Sequence, residues 1–288
     1  MPTNNRIFYA CHAVGVGKGS PSRVAGAQSV AMSTTFDVEP VFQLGQIESV
    51  DTLQLSPSVE VTVNRVLTSG GGTIISGDFM DYVGDDDYHV CLSIGDDTSP
   101  ILNTPSTHIS ITGAGVSGVT YNFPVDGTFT EEVNFLARDK ALGGCSVSLA
   151  AAETATVKTR QYYQSGAPSA VTSAGNLTNV SISASISREN LFRLGEYKAF
   201  HNYASLPAEV TVDFEVSATS TDGIAIADYT ACNGPASGGE TITLSICGHT
   251  FTMEKCMLSN VSYGGGDTGG GNATITFSYT TYNSLTVS

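Results

Sequence analysis

The carboxylates that could bind an ion are concentrated in one acidic segment of the first half of the chain. Its members are Asp78, Asp81, Asp85, Asp86, Asp87, Asp96 and Asp97. Ca²⁺ takes about six to eight oxygen ligands, but the segment lacks the Asp-x-Asp-x-Asp-Gly spacing with a closing Glu that marks a calcium loop. A solvated acidic surface is the simpler interpretation, and ion binding at Asp85 to Asp87 stays open.

The residue types that support catalysis or bind transition metals are dispersed along the chain. No two of the five histidines have the spacing of a zinc site: His12, His89, His108, His201 and His249. No Gly-x-Ser-x-Gly elbow surrounds a serine, and no cysteine and histidine signature of a nucleophile occurs. The sequence therefore predicts a protein that is not an enzyme and that holds no cofactor and no metal.

The cysteines also lack a metal-binding pattern, because none of the six belongs to a Cys-x-x-Cys pair. Cys91 and Cys247 lie in alternating apolar runs. A free cysteine in such a run behaves as a small apolar side chain. We therefore expect both residues to be buried free thiols.

The elements that carry these residues are predicted to be β-strands. Charged residues make up only 14% of the chain, and Val, Ile, Thr, Ser and Tyr recur in short runs separated by turn residues. From Ser29 to Phe36, for example, larger apolar residues alternate with small polar ones. This period of two predicts a half-buried strand, and the composition as a whole predicts an all-β fold.

The chain contains an internal duplication. The segment from Val38 to Gly45 recurs in altered form from Arg188 to Gly195, 150 residues later. Without a gap, residues 28–57 and 178–207 share seven identities, where about two are expected by chance. The similarity continues with small changes of step. Val90 corresponds to Ile242 at a step of 152, and Val119 to Val261 and Val133 to Ile275 at a step of 142.

The duplicated segment itself is predicted to form a short helix. Asp37 and Ser187 can cap its N-terminus, and Gly45 and Gly195 can adopt the left-handed conformation that ends it. Four apolar residues are then expected to pack on the sheet as equivalent core positions: Phe42, Leu44, Phe192 and Leu194. Leu→Asp at either leucine is expected to cost several kcal/mol, because it would bury an unpaired charge.

These elements predict two tandem domains of one design. The first spans residues 1–142 with an N-terminal arm, a linker covers residues 143–157, and the second domain spans residues 158–288. Each is expected to be an antiparallel β-sandwich or barrel with one short flanking α-helix.

Charge and hydropathy limit the partners of such a protein. The net charge of −15 argues against a surface that grips nucleic acid, since phosphate contacts need clusters of Lys and Arg. No apolar run approaches the roughly 20 residues of a membrane span. The first residues also lack the pattern of a secretion signal. We therefore expect no membrane partner.

The repeated segment resembles the tail tube, or major tail, proteins of tailed double-stranded DNA bacteriophages. The resemblance lies in the duplicated strand and Leu-Gly segment, the proline that follows it, and the strands Val59-Glu-Val-Thr-Val63 and Glu209-Val-Thr-Val-Asp-Phe-Glu-Val216. Asn122-Phe-Pro-Val-Asp-Gly-Thr-Phe-Thr-Glu131 is also similar to a segment of that group. The resemblance implies a structural virion protein whose β-sandwiches join around a ring, with rings that stack into a tube.

A chain with two such domains is implied to close as a trimer of pseudo-sixfold symmetry. Its implied partners are other copies of itself, tail proteins at the tube ends, a sheath in a contractile tail, and DNA that passes without specific binding. Its implied place is the virion tail, after assembly in the host cytoplasm. The polar strand faces are then predicted to line the lumen, with Glu60, Asp213 and Glu215 as acidic candidates.

Two alternatives remain open from the sequence. One is a tail terminator or connector ring, which uses a related fold. The other is a calcium-dependent β-sandwich adhesin or carbohydrate-binding module, with the ion at Asp85 to Asp87. The absence of Trp disfavours the carbohydrate module, because sugar platforms depend on exposed aromatic side chains.

Overall fold

A computed structural model describes residues 12–69, 71–95, 107–147, 155–219, 239–265 and 273–288. In these residues the chain is mostly β-strand, and every strand pairing is antiparallel, which confirms the predicted class. The strands are β1 (His12–Lys18), β2 (Ser22–Arg23), β3 (Ala27–Val41), β4 (Asp51–Val66), β5 (Gly77–Asp78), β6 (Tyr88–Ile94), β7 (Thr107–Pro124), β8 (Thr130–Leu142), β9 (Tyr163–Ser165), β10 (Gly175–Leu191), β11 (His201–Ala218), β12 (Glu240–Ile246), β13 (His249–Gly264), β14 (Thr274–Thr281) and β15 (Leu285–Val287).

Helical structure in the described residues is limited to three short pieces. The α-helix α1 (Ser169–Ala174) buries Val171 and Ala174. Two 3-10 helices cover Phe79–Tyr82 and Arg160–Tyr162. The α-helix therefore lies in the second half of the chain, and the corresponding part of the first half contains the short strand β2.

The strands form where the apolar alternation predicts them. In β4, Val59, Val61 and Val63 are buried, whereas Glu60 between them is exposed. The buried sides of β4, β7, β8, β10, β11 and β14 contribute to one hydrophobic core, against which residues of β1, β6 and β12 also pack. Tyr88 of β6, for example, lies 6.0 Å from Phe135 of β8 between ring centroids.

The pairing partners confirm the repeat and correct one of its steps. The regular pairing of β7 with β8 is interrupted between Val116 and Gly118. The pairing of β13 with β14 is interrupted between Leu258 and Asn260, which is 142 residues later. In β8, however, Val133 lies opposite Val63 of β4, and in β14 Phe277 lies opposite Phe214 of β11. Because Val63 and Phe214 are equivalent positions of the repeat, Val133 and Phe277 are equivalent too. Their step is 144, because the second half has two more residues between these strands. A shift of two residues leaves the inward and outward faces unchanged.

The two halves of the repeat share one continuous sheet. β7 of the first half pairs with β10 of the second from Gly118 opposite Ser185 to Pro124 opposite Asn179. The C-terminal strand β15 pairs in turn with β5 of the first half. One core serves both halves, and Phe251 packs edge-on against Tyr121 at 4.9 Å. The predicted domain limits stay a prediction, and residues 148–154 of the linker lie outside the described part.

The predicted helices at Val38 to Gly45 and Arg188 to Gly195 are wrong. Both segments instead continue a long strand into a turn, and β3–β4 and β10–β11 form two extended hairpins. An isolated helix of eight residues is not stable without a surface to pack on, whereas each hairpin satisfies its backbone through a partner strand. Gly45 and Gly195 do have positive φ, 88° and 91°, but within the hairpin turns.

The core positions assigned to those helices are consequently also wrong. Leu44 and Leu194 are fully exposed, with relative exposures of 100% and 103%, and Phe42 and Phe192 are 63% and 48% exposed. The expected loss of several kcal/mol on Leu→Asp therefore has no structural basis. The helical periodicity predicted that these side chains pack on the sheet. In the structure they lie past the ends of β3 and β10, in the hairpin turns, where they are exposed.

The cysteine prediction is wrong for Cys91 and is confirmed for Cys247 only in that its thiol is free. Cys91 is disulfide-bonded to Cys145, with a Cα–Cα distance of 5.9 Å, whereas Cys247 is free and half-buried. Desolvation raises the pKa of the Cys247 thiol to about 11. The pairing was not visible in the spacing, because it depends on the segment after β8 returning beside β6.

Candidate assembly surfaces

One face of the shared sheet is polar across eight strands, in the order β3-β4-β8-β7-β10-β11-β14-β13. We call it the polar face. It lies opposite the buried side chains and presents mainly Ser, Thr and Asn. Its strand segments are residues 29–35, 58–64, 130–136, 118–124, 179–185, 209–217, 274–280 and 257–264. These segments contain no Lys and no Arg.

Side chains on the polar face follow one another directly across the strands. One row crosses six strands through paired residues: Asn64, Glu132, Thr120, Ser183, Thr211 and Thr280. Neighbours in the first half are linked by hydrogen bonds. Thr62 Oγ1 donates to Asn134 Oδ1 at 2.7 Å, and Asn64 Nδ2 donates to Glu132 Oε2 at 3.3 Å. The face is therefore continuous through the junction of the two halves.

The polar face carries five carboxylates: Glu60, Glu132, Glu209, Asp213 and Glu215. Three of them are the predicted lumen candidates. Glu60 is exposed and Asp213 and Glu215 are half-buried, all on the side away from the core. That this side faces a lumen stays a prediction. The sequence interpretation missed Glu132 and Glu209, although both alternate with buried neighbours in the same way.

Two long strand edges of the sheet have no partner strand among the described residues. They are the edge of β3 that points away from β4, and the edge of residues 257–264 of β13 that points away from β14. An unpaired edge presents a row of backbone donors and acceptors to any strand that can reach it. These edges lie at opposite ends of the polar face.

The ends of the two hairpins expose apolar side chains. We call residues 36–56 the first tip and residues 187–206 the second tip. Exposed apolar residues of the first tip are Phe36, Val38, Val41, Phe42, Leu44, Ile47, Val50, Leu53 and Leu55; those of the second are Leu191, Phe192, Leu194, Tyr197, Phe200, Tyr203 and Leu206. Apolar exposure on this scale indicates an interaction surface.

The second tip rests on the first half of the chain. Tyr197 donates a hydrogen bond to the backbone oxygen of Leu55 at 3.1 Å, and Lys198 Nζ lies 2.7 Å from the Asp139 carboxylate. Arg138 donates to the backbone oxygen of Phe200. The second tip therefore packs beside the end of β8 in the first half.

The acidic residues Asp85 and Asp86, in the loop before β6, contact basic side chains and the second tip. Lys18 pairs with Asp85, and the Asp86 carboxylate lies 2.7 Å from His201 Nδ1 and 3.5 Å from Arg138 Nε. Asp86 also accepts from the backbone N–H of Asn202 at 3.2 Å. No cluster of metal-binding side chains occurs in the described part of the chain, which excludes Asp96 and Asp97. Through its contacts with His201 and Asn202, Asp86 links the two halves of the chain.

A buried arginine completes this junction. Arg188 donates to the backbone oxygens of Val116 and Tyr82, both at 2.5 Å, and to Asn202 Oδ1 at 2.9 Å. Desolvation lowers the pKa of Arg188, and the nearby Asp86 opposes that shift. The guanidinium therefore fixes the second hairpin to the first half through directional bonds.

A buried ion pair distinguishes the first half from the second. Arg65 Nε lies 2.5 Å from Glu131 Oε2, and both side chains are buried. Glu131 also accepts from the Tyr121 hydroxyl at 3.0 Å and from the backbone N–H of Ile74 at 2.9 Å. The equivalent positions of the second half are apolar, Val216 opposite Ile275.

Two serine–histidine contacts have structural explanations. Ser93 Oγ lies 2.9 Å from His108 Nδ1, but Ser93 is fully buried and accepts from the backbone N–H of Val147. His89 Nε2 lies 2.7 Å from Ser110 Oγ, and its Nδ1 lies 3.1 Å from the backbone oxygen of Gly19. Neither arrangement presents an accessible nucleophile.

In the described part of the chain, no helix has the length and apolar character needed to cross a membrane.

Comparisons with known proteins give matches among solved structures but none among family models or curated proteins. Among solved structures, the chain is similar to Hcp1 from Flavobacterium johnsoniae, with 15% identity over 48% of this chain and 98% of that chain. The TM-score is 0.28. At that score the similarity establishes neither the fold nor the function of this chain.

Proposed function

We propose that this chain is a structural subunit that assembles into rings, and that the rings stack into a tube with an acidic channel. In line with the sequence resemblance, the tube is the tail tube of a double-stranded DNA bacteriophage, and the ring is a trimer of pseudo-sixfold symmetry. Other tail proteins cap the ends of the tube. The protein acts in the virion tail after assembly in the host cytoplasm.

The polar face is the observation that carries this proposal. A broad sheet whose other side forms the core is expected to present mixed charges to solvent, yet this face has five carboxylates and neither Lys nor Arg in its segments. Like charges repel DNA phosphates, and the absence of cations removes the contacts by which proteins hold DNA. Such a surface suits a channel through which DNA slides.

The two tips support the stacking of rings. Their apolar residues project beyond the sheet, and equivalent positions such as Leu44 and Leu194 are both fully exposed. Removing this surface from water favours association, at about 25 cal/mol per Å² of apolar area. Each protomer offers two such tips, so we assign them to contacts with the adjacent ring.

Electron microscopy of the purified protein over a range of concentrations tests the proposed function. The expected result is rings with a central hole that grow into tubes as the concentration rises. Analytical ultracentrifugation of the same samples should show a trimer as the smallest stable assembly. Dispersed monomers at the highest concentration in both measurements would contradict the proposal.

A further inference from the structure

We infer that β3 of one copy pairs antiparallel with residues 257–264 of β13 of the next copy, in the register that β10 and β7 adopt within the chain. The inference rests on the proposed function, because it specifies how the ring closes. Its partner is a second copy of this chain, and the contact is a continuation of the polar face.

The internal junction supplies the geometry. β10 corresponds to β3, and β7 corresponds to β13, by the repeat that the ladder interruptions confirm. Within the chain, the β7 edge is covered by β10 over seven residue pairs. The equivalent edge of β13 and the equivalent edge of β3 have no partner strand in the described residues. The same contact can therefore form again between two copies.

The repeat also fixes the register. The internal pair Ser183 and Thr120 corresponds to Ser33 and Ser262, which places these serines opposite each other between copies. The pairs that follow in the same way are Ala31 with Gly264, Met32 with Tyr263, Thr34 with Val261 and Thr35 with Asn260. Ser33 and Ser262 belong to the polar face, so the channel surface would be uninterrupted.

One pair of side chains in this register resembles its counterpart at the internal junction. Tyr121 opposite Ile182 corresponds to Tyr263 opposite Met32, so an aromatic residue meets an aliphatic one in both cases. Tyr121 is fully buried, but Tyr263 is 54% exposed in the isolated chain. Pairing with β3 of another copy would place Met32 opposite Tyr263, as Ile182 lies opposite Tyr121 within the chain.

The other strands at the ends of the sheet path are too short to compete. β2 has two residues and β9 has three. Each residue of a paired strand adds one cross-strand pair, so an edge that forms five pairs is favoured over β2 or β9. Among the described strands, β3 and β13 therefore provide the long edges that a neighbouring copy can extend.

Disulfide trapping tests the register directly. The variant with Ser33→Cys and Ser262→Cys should form covalent dimers and trimers under mild oxidation, because opposite residues in antiparallel strands have the Cα separation that a disulfide needs. Ser183→Cys with Thr120→Cys is the matched internal control, and it should trap the same geometry within one chain. Ser33→Cys with Asn260→Cys is shifted by two residues and should trap several-fold less. Non-reducing gels and mass spectrometry of the linked peptides measure all three.

Two outcomes would overturn the inference. One is a Ser33 and Ser262 variant that stays monomeric on the gel while the internal control closes. The other is preferential trapping of the shifted pair, which would show a different register. Electron microscopy of the reduced variants separates these failures from that of the proposed function. Rings without the expected disulfide would reject only the strand pairing, whereas an absence of rings at every concentration would reject the assembly itself.

Discussion

Glu131 is the residue on which the buried polar part of the first half depends. Its carboxylate pairs with Arg65 and accepts hydrogen bonds from Tyr121 and from the backbone of Ile74 and Ile75. Burial and the adjacent Glu131 raise the pKa of Tyr121 well above its ordinary value, so the hydroxyl remains a donor. The second half has Val216 and Ile275 at the positions equivalent to Arg65 and Glu131. A pair of apolar residues is therefore also compatible with the fold at this place.

Glu131→Gln should therefore destabilise the protein strongly. The change leaves Arg65 as a buried charge without its counter-ion, and breaking a buried pair on one side costs about 3 to 5 kcal/mol. Urea denaturation measures the free energy of unfolding. Glu132→Gln is the matched control, since Glu132 is the next residue, lies on the polar face, and should change stability by less than about 0.5 kcal/mol. Equal losses for the two variants would contradict the assigned role.

At the scale of elements, the two hairpins combine a fixed base with an exposed tip. Within the second tip, Arg188 and the residues that contact Asp86 are held against the first half, whereas Leu194 at the turn is fully exposed. Leu44 and Leu194 at the turns contribute little to the folding of their own chain, because both side chains are in water in the free protomer. Their apolar surface becomes stabilising only when another molecule covers it.

Leu44→Asp and Leu194→Asp should separate folding from assembly. We expect each to change the free energy of unfolding of the protomer by less than about 0.5 kcal/mol, because both side chains are fully exposed. Both should shorten or abolish tubes in electron micrographs, since a charge would enter an apolar contact between rings. Gln43→Asp adds the same charge at a neighbouring polar position and should affect tube length less. A stability loss of several kcal/mol would instead indicate that the leucines are buried.

At the scale of the whole molecule, the polar face gives the assembly its electrostatic character. Replacing Glu60, Asp213 and Glu215 by Lys changes the sign of three of its five carboxylates. We expect tubes of this variant to retain double-stranded DNA, with binding that weakens as salt increases, because new phosphate contacts release counter-ions. Retention of labelled DNA by sedimented tubes measures the effect.

The control for the lysine variant carries the same charge change away from the polar face. Three exposed residues outside its strand segments are suitable: Asp81, Asp126 and Glu254. Replacing them by Lys should give tubes that retain much less DNA than tubes of the polar-face variant. Equal retention by both variants would indicate that net charge matters and that the polar face has no special position in the channel.

Local sequence patterns determined the strands and the repeat. Period-two alternation identified β4 and β11 together with their polar side, because a strand buried on one face must alternate. The 150-residue step from β3 to β10 held in the structure, and Glu60, Asp213 and Glu215 lie on the side of their strands away from the core, while their position in a lumen stays a prediction. These features depend on neighbours along the chain, and the sequence shows those neighbours directly.

Tertiary structure decided the features that depend on distant partners. Whether Val38 to Gly45 formed a helix or a hairpin depended on pairing with the strand that follows, and the helical spacing of its apolar residues did not reveal that partner. The Cys91–Cys145 bond, the Arg65–Glu131 pair and the β7–β10 junction likewise join residues more than 50 positions apart. Their formation depends on how the strands pack around a shared core, which local periodicity does not encode.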